Sequence, residues 1–278
     1  MVVEDGSYDK TCSIVNSFCL SDSRVNLLSL TNHLGKGGSI VAAALHLAMS
    51  ANKEYLAYMD VDLAADPSEL VRLLENIKDH DIAIGSRILR GDLPPIKRPL
   101  HRSVLSRCYS KLFRTLFRIP IYDPQCGFKL FRLDIVPSLF KEVIVNGFAF
   151  DSGLVVNAYS QGLRIKEVPI NWTHGKSSTV SVIHEIQSMG LDLLSIWYTF
   201  HSLWLQNKPG YPQKKGSVFG KLLFALLSLN HKITTRRLQD LEQLSNTQNL
   251  EKYFEQTGII VDNPLQKQEC QQNGRRRE

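Results

Sequence analysis

Two carboxylates one residue apart, Asp60 and Asp62, carry the clearest chemical signal in the sequence. The apolar run 55–59 before them is typical of a strand covered on both faces. A capping residue, a proline at the first helical position and a carboxylate three residues after the cap then predict a helix start. These residues are Asp66, Pro67 and Glu69. The carboxylate pair is therefore predicted at the carboxyl end of a strand, on the loop edge where open α/β sheets bind ligands.

Carboxylate oxygens in this arrangement suit a hard divalent cation. Mg²⁺ and Mn²⁺ prefer oxygen ligands, and Mg²⁺ is often shared between one or two carboxylates and substrate phosphates. An isolated pair of aspartates with this spacing also occurs in ordinary solvated turns, because the pattern is short. The strand before Asp60 and the capped helix after Asp62 favour a metal site, and the rest of the sequence has to decide between the two interpretations.

The chain has a net charge of +6 over 278 residues, and its basic residues are concentrated between Arg87 and Arg118. Nine lysines or arginines face a single acid in that segment. Apolar residues are interleaved from Pro99 onward, which predicts an amphipathic helix. A solvated basic face is the ordinary interpretation, but guanidinium groups also bind phosphate through paired hydrogen bonds. We expect an anionic ligand or headgroup here and no nucleic acid, because no nucleic-acid recognition motif accompanies the charge.

A glycine-rich loop, Asn32 to Gly38, is predicted ahead of an alanine-rich helix over 39–50. It is not a P-loop, since no glycine stands five residues before Gly35. Its lysine, Lys36, is suited to approach a phosphate, and a flexible entry to the helix is an equal alternative.

The elements that position these residues alternate between strand and helix. Strands are predicted at 1–3, 25–30, 55–59, 81–85 and 163–170, and a further short strand ends at 131. Helices are predicted at 9–19, 39–50, 67–78 and 180–206; one further helix starts near residue 99, and another ends at about residue 160. This alternation predicts an α/β fold with a mostly parallel sheet and helices on both faces. A basic amphipathic segment, 219–229, and a Gln- and Asn-rich tail follow.

The cysteines, the N-terminus and the hydropathy restrict the setting. The five cysteines are scattered, with no C-x-x-C pair and no His/Cys cluster, which indicates reduced thiols in the cytosol. Glu4, Asp5 and Asp9 stand where a signal peptide would be apolar. No apolar run approaches the ~18 residues of a membrane span. We therefore expect a cytoplasmic protein.

Seven segments follow one another in a characteristic order. They are Val3–Ser7 with Asp9 and Thr11, Gly35–Gly38, Asp60–Asp62, Gly85–Arg87, Asp123–Phe131, Phe148–Asp151 and Glu167–Thr173. Together they resemble the inverting, family-2 nucleotide-sugar glycosyltransferases of the GT-A fold, and within them the dolichyl-phosphate β-glucosyltransferase branch of the polyprenyl-phosphate hexosyltransferases. The resemblance implies a Rossmann-like GT-A fold with C-terminal amphipathic helices. It also implies inverting transfer of glucose from UDP-glucose to a polyprenyl or dolichyl phosphate, by an enzyme peripheral at the cytosolic face of a membrane.

The resemblance implies roles for individual residues. Asp5 would contact the nucleotide, and Asp60 and Asp62 would hold Mg²⁺ or Mn²⁺ against the diphosphate, with Asp62 also counted as catalytic. The positions matching lipid-phosphate contacts are Arg87, Arg102 and Ser106, with Lys176 as a further candidate. Asp123 would be an acceptor-side base. A strong base is less necessary, because a phosphate monoester with a second pKa of about 6 is largely a dianion at neutral pH.

The resemblance predicts a catalytic domain over 1–178. Residue patterning and composition predict amphipathic helices suited to a membrane interface over 179–235 and a disordered polar tail over 236–278. Family members carry a further strand and helix ahead of the acidic Gly-Ser turn, so we expect the catalytic domain to be N-terminally incomplete here. Ala64 stands where the mannosyl branch often has Gln, and Gly153 where the family has Glu. Transfer of mannose or another sugar, and a non-catalytic membrane-associated binding module, are the alternatives.

Overall fold

The architecture is that of a computed structural model, which describes residues 1–30, 33–50, 52–89, 91, 93, 100–141, 143, 149–173, 190, 192–197, 200 and 259–261. For residues 100–102 and 259–261 it describes the backbone alone. In chain order the elements are β1 (Val2–Glu4), α1 (Thr11–Ser21), β2 (Leu27–Leu30), α2 (Gly35–Ser50), β3 (Tyr55–Met59), α3 (Glu69–Asn76), β4 (Ile82–Ser86), α4 (Leu100–Phe117), β5 (Phe128–Arg132), α5 (Val136–Lys141), α6 (Phe150–Ser160), β6 (Ile165–Pro169) and β7 (Ile259–Val261). The chain falls into two compact units, residues 1–43 with 235–278 and residues 44–234.

The first unit contains a three-stranded sheet in the order β1-β2-β7. β1 runs parallel to β2, and β7 runs antiparallel to it. β7 lies within the tail predicted to be disordered, and it is the only part of that tail among the described residues, so the prediction for the tail as a whole stays a prediction. The sequence of β7, Ile-Ile-Val, is β-branched throughout and has a high strand propensity.

The last four residues of the glycine-rich segment belong to a helix instead of a loop. α2 begins at Gly35, so Gly35–Gly38 forms its first turn. Gly35 has a φ of +73°, a left-handed conformation that glycine adopts without a Cβ clash. The prediction of a loop as far as Gly38 is therefore wrong, because the glycine content was taken as a sign of irregular backbone when only the entry residue needs it.

The second unit is built on a four-stranded sheet in the order β3-β5-β4-β6. The predicted α/β class is confirmed, but the expectation of a mostly parallel sheet is wrong here. β5 is antiparallel to both β3 and β4, and only β4 and β6 are parallel. The reason is that the connection from β4 through α4 to β5 leaves and re-enters the sheet at the same edge, the one where β3 and β4 end. Phe128 at the start of β5 accordingly pairs with Met59 at the end of β3.

The core of this unit lies on the two central strands. Every residue of β4 and the first four residues of β5 are buried. Phe131 packs edge-on against Phe140 of α5 with ring centroids 5.2 Å apart, and Phe140 packs against Phe150 of α6 at 6.4 Å. α4 buries Phe113 and Phe117, whose rings lie 5.0 Å apart. The strand ends are thus fixed by a dense apolar layer, which allows their polar residues to be held in place.

Three predicted segments lie largely outside the described residues. Of the helix predicted over 180–206, Gly190, residues 192–197 and Phe200 are helical. The segment 219–229, and the tail apart from β7, are not among the described residues. In the part of the chain that is described, no helix is both long enough and apolar enough to cross a membrane.

Candidate active site

The end of β3 presents the two carboxylates that the sequence singled out. Asp60 is half-buried, and its backbone N–H donates to the carbonyl of Gly127 at 2.9 Å. Asp62 is exposed, and its Oδ1 accepts the N–H of Ala64 at 3.0 Å. The Ala64 carbonyl accepts the N–H of Thr173 at 2.7 Å, which ties this loop to the segment after β6. The loop carrying the carboxylates is therefore anchored on both sides.

Gly127 brings the backbone directly against the Asp60 carboxylate. A Cβ atom added at Gly127 would overlap both carboxylate oxygens of Asp60. The turn that opens β5 thus forms the floor on which the Asp60 side chain lies. Only glycine permits this close approach, which gives the glycine of the segment Asp123–Phe131 a physical role.

The donor set at this strand end fits a hard divalent cation that a ligand helps to coordinate. Asp60 and Asp62 supply carboxylate oxygens, the ligand type that Mg²⁺ and Mn²⁺ prefer. Among the described residues, no three His, Cys, Asp or Glu side chains cluster closely enough to hold a metal ion by themselves. Two carboxylates without a protein cage match the way Mg²⁺ is held together with substrate phosphates.

At the end of β4, which β5 separates from β3, Arg87 forms a two-pronged ion pair with Asp123. The Arg87 Nε and Nη2 groups donate to the two carboxylate oxygens of Asp123, each at 2.8 Å, and the Arg87 backbone N–H donates to Oδ2 at 2.8 Å. Asp123 is buried, and the guanidinium lies 5.8 Å from the ring centroid of Trp172. The structure thus joins two residues that the sequence assigned to separate tasks.

Burial alone would raise the pKa of Asp123, but the Arg87 guanidinium beside it and the hydrogen bonds from Arg87 outweigh burial, so the pKa lies below its ordinary value. A carboxylate with a lowered pKa is a poor proton acceptor. This geometry favours Asp123 as the partner that fixes the Arg87 side chain. Its assignment as an acceptor-side base stays a prediction.

Glu167 of β6 holds the Asp123 turn from below. Its Oε1 accepts the hydroxyl of Ser86 at 2.7 Å and the N–H of Asp123 at 2.7 Å, and its Oε2 accepts the N–H of Tyr122 at 2.8 Å. Burial raises the pKa of Glu167 above its usual value. The carboxylate of Glu167, in the middle of β6, therefore links β6 to the end of β4 and to the turn before β5.

Beneath the turn lies a buried ion pair between Lys129 of β5 and Asp151 of α6. The Lys129 Nζ group lies 2.5 Å from Asp151 Oδ1, and both side chains are almost fully buried. The Tyr58 hydroxyl donates to the same Oδ1 at 2.5 Å, and Lys129 Nζ also donates to the Cys126 carbonyl at 2.6 Å. Burial raises the pKa of the Cys126 thiol to about 12, so this cysteine stays protonated and inert.

The remaining predicted residues have different surroundings. In the first unit, the Asp5 carboxylate accepts the N–H groups of Leu34 and Gly35 at 2.8 and 2.7 Å, which caps the start of α2, and Lys36 lies half-buried in the first turn of that helix. In the second unit, Ser106 is half-buried on α4. The Arg102 side chain and all of Lys176 lie outside the described part of the structure, so their predicted roles remain predictions.

Three residues that position the site were missed by the sequence reasoning. They are Gly127, Lys129 and Glu167, all within segments that carried the family resemblance. A signal for Lys129 was available, because a lysine within the apolar run Phe128–Phe131 has to find a buried partner. The contacts of Glu167 and Gly127 depend on residues more distant in the chain, and no local pattern predicts them.

Comparison with known proteins identifies the family. Residues 1–140 match the family model described as glycosyl transferase family 2. Glycosyltransferase AglD of Haloferax volcanii is 31% identical over 228 residues, which are 81% of this chain and 35% of the relative. Dolichyl-phosphate beta-glucosyltransferase ALG5D of Trichomonas vaginalis is 32% identical, covering 70% of this chain and 60% of the relative. Polyprenol monophosphomannose synthase of Mycolicibacterium smegmatis is 31% identical, covering 62% and 66%.

Solved structures show a related fold. Glucosyl-3-phosphoglycerate synthase from Mycobacterium tuberculosis in complex with UDP has a TM-score of 0.50 at 14% identity, covering 72% of this chain and 68% of that one. The same synthase with Mn²⁺, UDP and phosphoglyceric acid also has a TM-score of 0.50, at 12% identity, covering 72% and 66%. The predicted GT-A fold is thereby confirmed. This chain spans 35% to 66% of the length of the three relatives named above. The predicted family is confirmed as well: the chain belongs to glycosyl transferase family 2.

Proposed function

We propose that this chain carries a glycosyltransferase activity that moves a hexose from a nucleotide sugar to a polyprenyl phosphate, with glucose from UDP-glucose as the sugar and dolichyl phosphate as the acceptor. One observation carries the proposal. Two carboxylates and a fixed guanidinium lie at the same edge of one sheet, at the ends of β3 and β4, on either side of the turn that opens β5. This arrangement supplies separate anchors for two phosphorylated reactants.

On the donor side, Asp60 and Asp62 would hold Mg²⁺ or Mn²⁺ together with the diphosphate of the nucleotide sugar. Such an ion neutralises the negative charge that develops on a diphosphate leaving group. Close contact with the Gly127 backbone restricts the orientation of the Asp60 carboxylate, which favours binding of the ion at one position. Contact of Asp5 with the nucleotide stays a prediction.

On the acceptor side, Arg87 would bind the phosphate of the lipid. The Nε and Nη2 groups of Arg87 donate to the Asp123 carboxylate, which holds the guanidinium in one orientation. The third nitrogen, Nη1, does not donate to that carboxylate and would face the phosphate. A phosphate monoester is already largely a dianion at neutral pH and attacks without losing a proton to a base. Positioning and charge neutralisation can then supply most of the acceleration. Attack from the face opposite the leaving group gives inversion.

The proposed sugar is inferred from the relatives, and their names specify two different sugars: glucose and mannose. The proposal of glucose follows the dolichyl-phosphate beta-glucosyltransferases, and Ala64 is consistent with that branch. Mannose from GDP-mannose is the second candidate, favoured by the polyprenol monophosphomannose synthase. Both reactions use the same two anchors, so an assay with both donors separates them.

We also propose that the protein binds peripherally to the cytosolic face of a membrane through α4. This helix contains no acidic residue. Arg107 and Lys111 are exposed on it beside Val104 and Leu112, which are 53% and 44% exposed. Exposed cations interleaved with apolar side chains suit an anionic lipid surface.

The transfer reaction is tested with radiolabelled UDP-glucose, dolichyl phosphate and Mg²⁺ or Mn²⁺, followed by extraction of labelled lipid. We expect labelled lipid from the wild-type chain and at least a hundredfold less from Asp62→Ala, in line with the loss of a metal ligand. Asp79→Ala is the matched control, because it removes an exposed aspartate outside the site. Labelled lipid only with GDP-mannose would replace glucose by mannose, and no lipid product from a folded chain would contradict the activity.

The membrane proposal is tested by sedimentation with phosphatidylcholine vesicles that contain or lack phosphatidylserine. We expect binding that requires the anionic lipid, weakens with salt and is lost in Arg107→Glu/Lys111→Glu. Lys53→Glu/Lys78→Glu makes the same charge change at exposed lysines elsewhere in the unit and should retain binding. Equal loss in both double variants would mean that net charge, not α4, determines the attraction.

A further inference from the structure

Lys129 lies outside the roles assigned above, although it is among the most deeply buried side chains of the second unit. It belongs to the central strand β5, where all of its neighbours along the run Phe128–Phe131 are apolar. A buried ammonium is costly unless it is paired and hydrogen-bonded. The protein provides both partners, Asp151 and the Cys126 carbonyl, so the position of this charge is closely defined.

The contacts of Lys129 form a chain that leads to the metal-side carboxylate. Its Nζ donates to the Cys126 carbonyl, which belongs to the peptide group joining Cys126 to Gly127. Gly127 in turn accepts the Asp60 N–H and carries the Asp60 carboxylate directly on its backbone. Fixing the orientation of that peptide group therefore fixes the floor beneath Asp60.

A second set of contacts connects the same ion pair to β3. Asp151 Oδ1, which accepts a hydrogen bond from the Lys129 ammonium, also accepts the hydroxyl of Tyr58 of β3, two positions before Asp60. Both the strand that delivers Asp60 and the turn that supports it are tied to one buried ion pair.

We propose that Lys129 is a positioning residue for the divalent metal site: by holding the Cys126–Gly127 peptide, it sets the place of the Asp60 carboxylate and thereby the affinity for the metal–nucleotide complex. This inference rests on the proposed function. Residues that orient metal ligands through a second contact typically change metal affinity by about 10- to 100-fold when removed.

The test compares two variants that differ only at Lys129. Lys129→Met alone leaves Asp151 buried without its cation and endangers folding. Asp151→Asn also removes a charge from the pair, but its amide oxygen still accepts hydrogen bonds from Lys129 and Tyr58. The comparison is therefore made between Asp151→Asn, which keeps the lysine donor to Cys126, and Lys129→Met/Asp151→Asn, which removes it. Mn²⁺ is titrated into the full chain with UDP present, and free Mn²⁺ is measured by electron paramagnetic resonance. Thermal unfolding is recorded on the same samples.

We expect Mn²⁺ affinity in Asp151→Asn within about threefold of the wild type, and a further loss of about tenfold or more in the double variant at a similar melting temperature. In the transfer assay, the Mn²⁺ concentration for half-maximal rate should rise by the same factor. Turnover at saturating Mn²⁺ should recover, because excess metal offsets a displaced ligand. Loss of general structure would not be rescued in this way.

Other results would overturn the assignment. Equal Mn²⁺ affinity in the two variants would show that Lys129 has no influence on the site and would leave the proposed function intact. A loss in Asp151→Asn as large as in the double variant would assign the effect to Asp151 instead. A wild-type chain that binds no Mn²⁺ with UDP would contradict the proposed function and this inference together.

Discussion

Gly127 is the residue at which the backbone and the metal-side carboxylate come closest. A methyl group there would occupy the position of the Asp60 oxygens. We expect Gly127→Ala to displace Asp60 and to lower transfer activity by about tenfold or more, the scale typical of disturbed metal ligands. The measurement is the rate of labelled lipid formation at limiting Mn²⁺.

Gly190→Ala provides the control for that substitution. Gly190 is helical, and a Cβ atom there would meet open space. Because alanine is favoured over glycine in a helix by about 1 kcal/mol, this variant should be as stable as the wild type or slightly more so, with unchanged transfer. Equal activity of the two alanine variants would mean that Asp60 does not need its seat on Gly127.

The pair Arg87–Asp123 makes a prediction about pH. In the wild type the Asp123 pKa is lowered, so its contribution to stability is present above the ordinary pKa of about 4 and is lost as pH falls through the lowered value. In Arg87→Met the guanidinium is gone, and only the backbone N–H of residue 87 and the charge of Lys129 still oppose burial, so the pKa of Asp123 rises relative to the wild type. Compared with the wild type, the variant should therefore lose stability as pH rises from about 4 to 7, with a deficit approaching about 3–5 kcal/mol at neutral pH.

Urea unfolding at a series of pH values checks this expectation. Arg164→Met is the matched control, since Arg164 is 60% exposed and pairs with Asp81 at 3.4 Å. Exposed pairs contribute about 0–1 kcal/mol, so the control should differ little from the wild type at any pH. A deficit in Arg87→Met that stays constant with pH would contradict the account of Asp123.

At this scale, sequence reasoning found the residues whose meaning is local. Asp60 and Asp62 were placed at a strand end because the apolar run and the helix start flank them directly. The pairing of Arg87 with Asp123 was not predicted, because it joins distant positions in the chain through the register of two strands. The sequence analysis therefore assigned separate tasks, phosphate binding and proton acceptance, to two side chains that form one ion pair.

Among the elements, α4 combines a buried aromatic face with an exposed basic one. Phe113 is fully buried, whereas its neighbour Leu112 is 44% exposed. We expect Phe113→Ala to cost about 3–5 kcal/mol of unfolding free energy, because it removes a large core side chain. Leu112→Ala should cost less than about 1 kcal/mol. Denaturant unfolding of the two variants measures the difference, and equal losses would mean that the packing face of α4 has been assigned incorrectly.

The existence and type of most elements could be predicted from the sequence, except for α5 and β7, and the direction of β5 could not. The strand at 55–59 has the predicted bounds, and α4 starts beside the predicted Pro99. The antiparallel direction of β5 was missed because an alternating order of strands and helices predicts crossovers that return to the opposite edge. Nothing in the sequence of α4 indicates that the chain re-enters the sheet at the edge where β4 ends.

For the whole molecule, protection from solvent should be unevenly distributed. β4 is buried at every position, whereas no residue of α1 is buried. Amide hydrogens of β4 and β5 should therefore exchange most slowly, and those of α1 among the fastest. Hydrogen–deuterium exchange followed by mass spectrometry tests this. Strong protection of α1 would mean that a partner covers it in solution.

The division into two units was beyond sequence reasoning, which predicted boundaries at 178 and 235 from composition and resemblance. β7 illustrates the reason. Three apolar residues within a polar tail pair with β2, more than two hundred positions earlier. Local composition describes the tail as a whole and gives no information on where so short a segment will find a partner.

The insertion of β5 between two earlier strands has a consequence for synthesis on the ribosome. β3 and β4 emerge first, yet neither pairs with the other, and each has to wait for the strand that separates them. At 5–20 residues per second, the interval from Ser86 to Arg132 lasts about 2–9 s. During that time the nascent chain exposes two apolar strands with unsatisfied edges. Binding of a chaperone to the nascent chain would be most useful in this interval, before the strand that completes the carboxylate site has been translated.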